Sequence, residues 1–159
     1  MLLTNCLPNQ GSKSALPKLL ILAPCDNVLI NKDAESASLI VIMTTIVFPP
    51  PPPEIPIGTP TPMRWFFFCQ WEILPEDSGL TYEQRIQLQD ESGHSHVDTS
   101  TQMLCDAEKI HHRVIAGFGT IPLMPEGAYK FVVDLRLTDS EEWVNAGSYP
   151  MKIAYAGSK

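Results

Sequence analysis

Apolar and polar residues alternate with a period of two along much of this chain. TYEQRIQLQD (81–90) is the plainest case: Tyr82, Ile86 and Leu88 fall on one side, and Glu83, Arg85, Gln87 and Gln89 on the other. Successive side chains of a strand point to opposite faces, so this segment predicts a half-exposed antiparallel strand. MRWFFFCQWEIL (63–74) places Trp65, Phe67, Cys69, Trp71 and Ile73 on a core face. Its other face is polar at the ends but carries Phe66 and Phe68 at the middle. PEGAYKFVVDLRL (125–137) sets Tyr129, Phe131, Val133, Leu135 and Leu137 against Lys130, Asp134 and Arg136. RVIAGFGTIPL (113–123) reads as a strand whose Gly117 and Gly119 signal a bulge or a close backbone approach. SYPMKIAY (148–155) closes the set.

Two segments near the start have a different texture. LLILAPCDNVLI (19–30) is apolar and β-prone with a break at Pro24, and SLIVIMTTIVF (38–48) is rich in β-branched residues with almost no polar relief. The second predicts a strand covered on both faces, paired with the first as a hairpin through the turn NKDAES (31–36). Residues 1–17, with Pro8, Gly11 and Pro17, predict a flexible N-terminal arm. Within 95–112 the pattern is weak, and a short strand near Thr101–Cys105 is the reading it supports. No segment makes an amphipathic helix of useful length. Seven to eight strands separated by turns predict an all-β fold: an antiparallel β-sandwich, immunoglobulin-like or C2-like, in one domain over 18–159.

FPPPPPEIPIGTPTP (48–62) interrupts this sequence of strands with eight prolines, five of them consecutive. Pro53-Glu54-Ile55-Pro56 satisfies a P-x-x-P spacing, but Glu54 is acidic and the nearest basic residue, Arg64, lies beyond Pro62. The segment also sits between two apolar strands. It is read as a stiff inter-strand connector at 49–62, with a partner-docking arm through Pro51 and Pro53 as the second reading and a short-motif ligand as the third. Proline lacks an amide hydrogen, so such a connector cannot template further strand pairing.

PEGAYKFVV (125–133) resembles the P-x-G-x-Y-x-F-x-V entry to the penultimate strand of many bacterial immunoglobulin-like and C2-like sandwiches. APCDNVLINKDAESASLIVIMTTIVFP (23–49) is similar to the opening hairpin of a bacterial family of small sandwiches of this kind, a domain of unknown function. Members open with a Cys-Asp strand and an S-L-I-G-I-F strand; here Val41 stands where that pattern has glycine. The resemblance implies the sandwich fold, a turn at Gly127 and a tyrosine, Tyr129, packed at the sandwich corner. It implies no catalytic residues.

Composition narrows the function classes. The 159 residues carry a net charge of −7, and their 11 Lys and Arg form no run. Such a surface repels phosphate backbones, which speaks against a nucleic-acid partner. The longest apolar run, Leu39–Phe48, is far short of the roughly 20 residues needed to cross a bilayer. KLLILAPC (18–25) has too short an apolar part for a lipoprotein signal, so a cytoplasmic location and reduced thiols are expected. Cys6, Cys25, Cys69 and Cys105 show no C-x-x-C spacing.

Four histidines offer the one candidate metal site: His94 and His96 at H-x-H spacing, with His111 and His112, and Asp98 or Cys105 as a further ligand. Against this, SGHSHVDTST is turn composition throughout. There is no G-x-S-x-G elbow, Gly117-Phe118-Gly119-Thr120 is not a phosphate loop, and Asp139, Glu141 and Glu142 read as a solvated turn. The expectation is a non-catalytic interaction or assembly module without cofactor, binding a protein partner or itself. Phe66 and Phe68 are its candidate contact residues, since two exposed rings on one strand make a contact-sized patch. A metal-dependent protein using the histidines and a small-ligand carrier with a pocket between the sheets are the alternatives.

Overall fold

The computed structural model of the protein describes residues 16–33, 35–106 and 108–157. The expected N-terminal arm therefore lies, up to residue 15, outside the described residues. Nine strands are described: β1 (Lys18–Asn31), β2 (Ser36–Ile42), β3 (Thr45–Phe48), β4 (Pro60–Glu72), β5 (Thr81–Asp90), β6 (Ser95–Leu104), β7 (His111–Pro122), β8 (Gly127–Leu137) and β9 (Val144–Tyr155). They form a β-sandwich of two sheets, ordered β2-β1-β4-β7 and β3-β9-β8-β5-β6. Every pairing is antiparallel except β3 with β9, which is parallel.

Alternation predicted the core well. Trp65, Phe67, Cys69 and Trp71 of β4 face Tyr82, Ile86 and Leu88 of β5 and Phe131, Val133 and Leu135 of β8, all buried. Phe131 is the hub. Its ring centroid lies 5.3 Å from Trp65 and 4.9 Å from Phe67, and Trp65 stacks at 4.1 Å on Phe118 of β7. Burying side chains of this size contributes about 1.5–3 kcal/mol each. The Tyr129 hydroxyl donates back to the Pro125 carbonyl at 3.0 Å, pinning the entry to β8.

The segment 38–48 corrects the expectation of one strand covered on both faces. It is two strands in different sheets. The Met43 amide donates to Pro24 O at 2.9 Å, the Thr44 carbonyl accepts from Lys152 at 3.0 Å, and the chain crosses between the sheets at that point. The apolar run therefore splits: Ile46 and Phe48 of β3 are buried, while Ile40, Val41 and Ile42 of β2 are exposed at a sheet edge. An apolar run alone cannot tell a doubly covered strand from an edge strand followed by a crossing.

β6 is a second difference. It runs over Ser95–Leu104 against β5, where the sequence supported only a short strand near its end. It is an edge strand built of Ser, Thr and Gln, and needs little apolar alternation to pair. Residues 49–59 carry the chain from β3 in one sheet to β4 in the other, and Pro60–Pro62 already belong to β4. Ile55 N bonds Pro52 O at 2.9 Å, and Gly58 N bonds Leu123 O at 2.8 Å. Gly58 has φ +91°, a left-handed conformation suited to glycine. Pro51 and Pro53 are exposed.

Candidate interaction surface

The outward face of the first sheet is where the sequence placed Phe66 and Phe68. Cross-strand pairing builds it row by row. Ala23, Phe68 and Ile115 share one row, and Ile42, Cys25, Phe66 and Gly117 share the next. The expectation that both phenylalanines are exposed is corrected: Phe68 retains 1% of its accessible surface, Cys25 0%, and Phe66 is half-buried. Phe66 sits across Gly117, where an added Cβ would come within 3.2 Å of its ring, and Arg64 stacks on it at 5.3 Å. That close approach is what the glycine in β7 permits. Phe68 is covered within its own chain.

The hairpin of β1 and β2 shapes this side of the molecule. β1 pairs with β4 only over Lys18–Cys25; from Cys25 to Asn31 it pairs with β2 alone. The Nη2 of Arg113, on β7, donates to the Glu35 carbonyl in the hairpin turn. β7 lies beyond β4 from β1, and Arg113 pairs with Gln70 on the outward face. The hairpin therefore leaves the plane of its sheet and carries its turn over that face. Its own large side chains remain in solvent on both sides: Leu29 (54% exposed), Ile42 (52%) and Val41 (66%), with Ile30 and Ile40 also exposed. Val41 has φ +52°, which a β-branched residue rarely adopts. Pairing with β1 keeps the same register on either side of it, Asn27 with Ile40 and Cys25 with Ile42.

The outward face of the second sheet is built from charge. Glu83 pairs with Arg136 and Arg85 with Asp134 directly across β5 and β8. Arg136 donates to Glu83 at 2.6 and 2.9 Å, Arg85 to Asp134 at 2.8 Å, and Asn145 to the same Asp134 at 3.1 Å. Trp143, at the end of the β8–β9 loop, lies 4.4 Å from the Arg85 guanidinium and 4.3 Å from that of Arg136. The hydrogen bond from Arg136 holds Glu83 below the usual carboxylate range. Sequence alternation assigned Arg85, Asp134 and Arg136 to this face. It gave no sign of Trp143, whose loop reads as a plain acidic turn.

The histidines do not come together. His94 and His96 follow the end of β5 at Asp90, whereas His111 and His112 pair with Glu72 and Trp71 beside the start of β5, ten residues away. His96 Nε2 lies 3.0 Å from Asp90 Oδ2 and packs edge-on against His94. Asp90 also accepts from the Ser92 hydroxyl at 2.6 Å and from the amides of Ser92 and His94. Ser92 and then His96 hold its carboxyl well below the usual range, so it is the anchor of a turn. Asp98 accepts from Gln87, Cys105 is buried, and burial pushes the Cys105 thiol up to about 11. Among the described residues no group of three His, Cys, Asp or Glu is placed to hold a metal ion.

Polar groups inside the sandwich are tied to structure. Trp71 Nε1 donates to Gln84 at 2.7 Å, and the Tyr82 hydroxyl to Asp77 at 2.6 Å; Asp77 also accepts from Leu74 N. For a ligand carrier, the space between the sheets offers a cleft of about 390 Å³ at one end, lined by Leu16–Leu19, Leu135 and Val144–Ala146. The middle is filled by the rings around Phe131. Among the described residues no helix is long and apolar enough to cross a membrane.

No protein-family model and no curated protein matches the sequence. Among solved structures, the chain is similar to the CARDB domain of the PF1109 protein from Pyrococcus furiosus, crystallised in complex with di-metal ions, at 8% identity and a TM-score of 0.40 over 94% of this chain and 99% of that one.

Proposed function

We propose that this protein is a non-catalytic interaction or assembly module. One observation carries it: the β1–β2 hairpin leaves Leu29, Ile30, Ile40, Val41 and Ile42 in solvent on both of its sides. Scattered surface hydrophobics are ordinary, but a contiguous apolar patch marks a contact. A two-stranded ribbon is also marginal by itself in water, so an exposed one is a natural place for a partner to bind. The contact residues move accordingly, from Phe68 to the hairpin, with Phe66 at its margin. Pro51 and Pro53 remain exposed and form a second, smaller candidate contact. The test is capture of protein partners from a cell extract by the immobilised chain. Leu29→Ser with Ile42→Ser is expected to abolish capture while the melting curve stays cooperative. Capture that survives the double change unaltered would remove the hairpin from the contact.

A further inference from the structure

The two sheets have four edge strands: β2, β7, β3 and β6. An open edge is a template for another strand, and proteins blunt their edges with charge, proline or brevity. β6 carries Asp98 among serines and threonines, and β7 carries Arg113 and ends at Pro122. β3 is four residues long and runs into Pro49–Pro53. β2, SASLIVI, has no charge, no proline and no glycine. It is the one described edge without charge, proline or brevity, and its single irregularity is the φ of +52° at Val41.

The order of residues in β2 says what fits it. Three small residues, Ser36, Ala37 and Ser38, come first, then Leu39, then three large ones, Ile40, Val41 and Ile42. An antiparallel copy of the same strand, centred on Leu39, sets Ser36 opposite Ile42, Ala37 opposite Val41 and Ser38 opposite Ile40. Directly opposed residues share a face of the sheet. Ile40, Val41 and Ile42 thus each meet a small residue, Leu39 meets its own copy, and no like charges meet. A twofold axis makes the arrangement self-complementary and closed. Ile40 and Ile42, exposed in the single chain, would then be flanked by the second copy.

From these observations we infer that two copies of this chain associate through β2, pairing antiparallel about Leu39 into one continuous sheet, β1-β2 joined to β2-β1. The inference rests on the interaction-module reading and names its partner as a second copy.

The experiment uses the full chain in a Cys6→Ser background, so that the described native cysteines left, Cys25, Cys69 and Cys105, are all buried. Leu39→Cys places two thiols across the axis, at a Cα separation of about 4.5–5.5 Å, inside the range a disulfide spans. Ser36→Cys places them six residues out of register, roughly 20 Å apart. Mild oxidation is expected to give a covalent dimer with Leu39→Cys and none with Ser36→Cys. Light scattering is expected to give twice the chain mass for the parent and one chain mass for Ile40→Lys. Equal cross-linking of both cysteine variants, or a parent of single-chain mass, overturns the proposal. If Ile40→Lys fails to fold, the two cysteine variants decide alone. A single-mass parent whose capture of another protein is lost on Ile40→Lys overturns the second copy as occupant and leaves the module reading standing. A single-mass parent that captures nothing ends both.

Discussion

The two outward faces of the sandwich solve the same problem with opposite chemistry. Each sheet turns one side to the shared core and must do something with the other. The second sheet dresses that side with two ion pairs and an indole laid against two guanidiniums. The first sheet dresses it with Phe68, Ala23, Cys25 and a half-buried Phe66, and bends a hairpin over it. One face is specified by directional contacts that exist in water. The other has a small core of its own, and its hairpin leaves apolar residues over for something else. The stability of the two faces should therefore respond to different perturbations.

The comparison breaks most readily at Phe68. Phe68→Ala removes a buried ring and is expected to cost about 3–5 kcal/mol in urea unfolding, the range for aromatic truncation in a core. A cost below about 1 kcal/mol would mean the first sheet's outer face is a surface after all, and the contrast would collapse. The matching test on the other face is Trp143→Ala. It deletes two cation–π contacts and should cost about 1–2 kcal/mol, leaving Glu83 and Arg136 paired. A loss as large as that of Phe68→Ala would show that the indole holds the face together and the ion pairs follow it.

Val41→Gly sharpens the picture of the hairpin. A β-branched residue at φ +52° carries strain of order 1–3 kcal/mol, and glycine adopts that region freely at an entropic cost of about 0.5–1 kcal/mol. The net expectation is a gain of about 1 kcal/mol, read from the denaturation midpoint. A loss would locate a packing role for the Val41 side chain, either within the chain or across the β2–β2 pairing.

The smallest effect is a difference in pH response. Arg136 depresses the Glu83 carboxyl, and Ser92 and His96 depress that of Asp90. A group whose pKa is lower in the folded than in the unfolded chain adds stability above the unfolded value and loses it as pH falls through the folded one. The contribution of these carboxylates is thus in place above pH 4.5, the ordinary glutamate value, and is withdrawn progressively below it. Glu83→Gln should flatten part of that decline, while the deficit of Phe68→Ala should be the same at either end of the range. Equal pH dependence in both variants would erase the distinction between the faces.

Much of the fold was legible because alternation is a local property. The facing of Trp65, Phe67, Cys69 and Trp71, of Tyr82, Ile86 and Leu88, and of Phe131 to Leu135 follows from period two alone. What stayed hidden depends on distant partners. SLIVIMTTIVF looks uniform, yet its first half pairs with β1 and its second with β9. Phe68 and Phe66 look alike in sequence, yet one is sealed and the other half open, because strand facing says nothing of what lies above a sheet. The positive φ at Val41 was equally hidden, since nothing in an apolar run marks a left-handed backbone at a β-branched residue. For the histidines, H-x-H spacing sets the facing of His94 and His96 relative to each other, but their separation from His111 and His112 follows from the pairing of distant strands.

The parallel pairing of β3 with β9 has a consequence for synthesis. β3 is complete at Phe48, but the strand it pairs with begins at Val144. At a translation rate of about 5–20 residues per second, the interval is roughly 5–20 s. Throughout it, Ile46 and Phe48 have left the ribosome without the strand that will cover their edge. Directly behind them come five prolines, none able to donate to a β-ladder. The nascent chain therefore carries β3, still without its sheet partner, joined to a segment that cannot extend it.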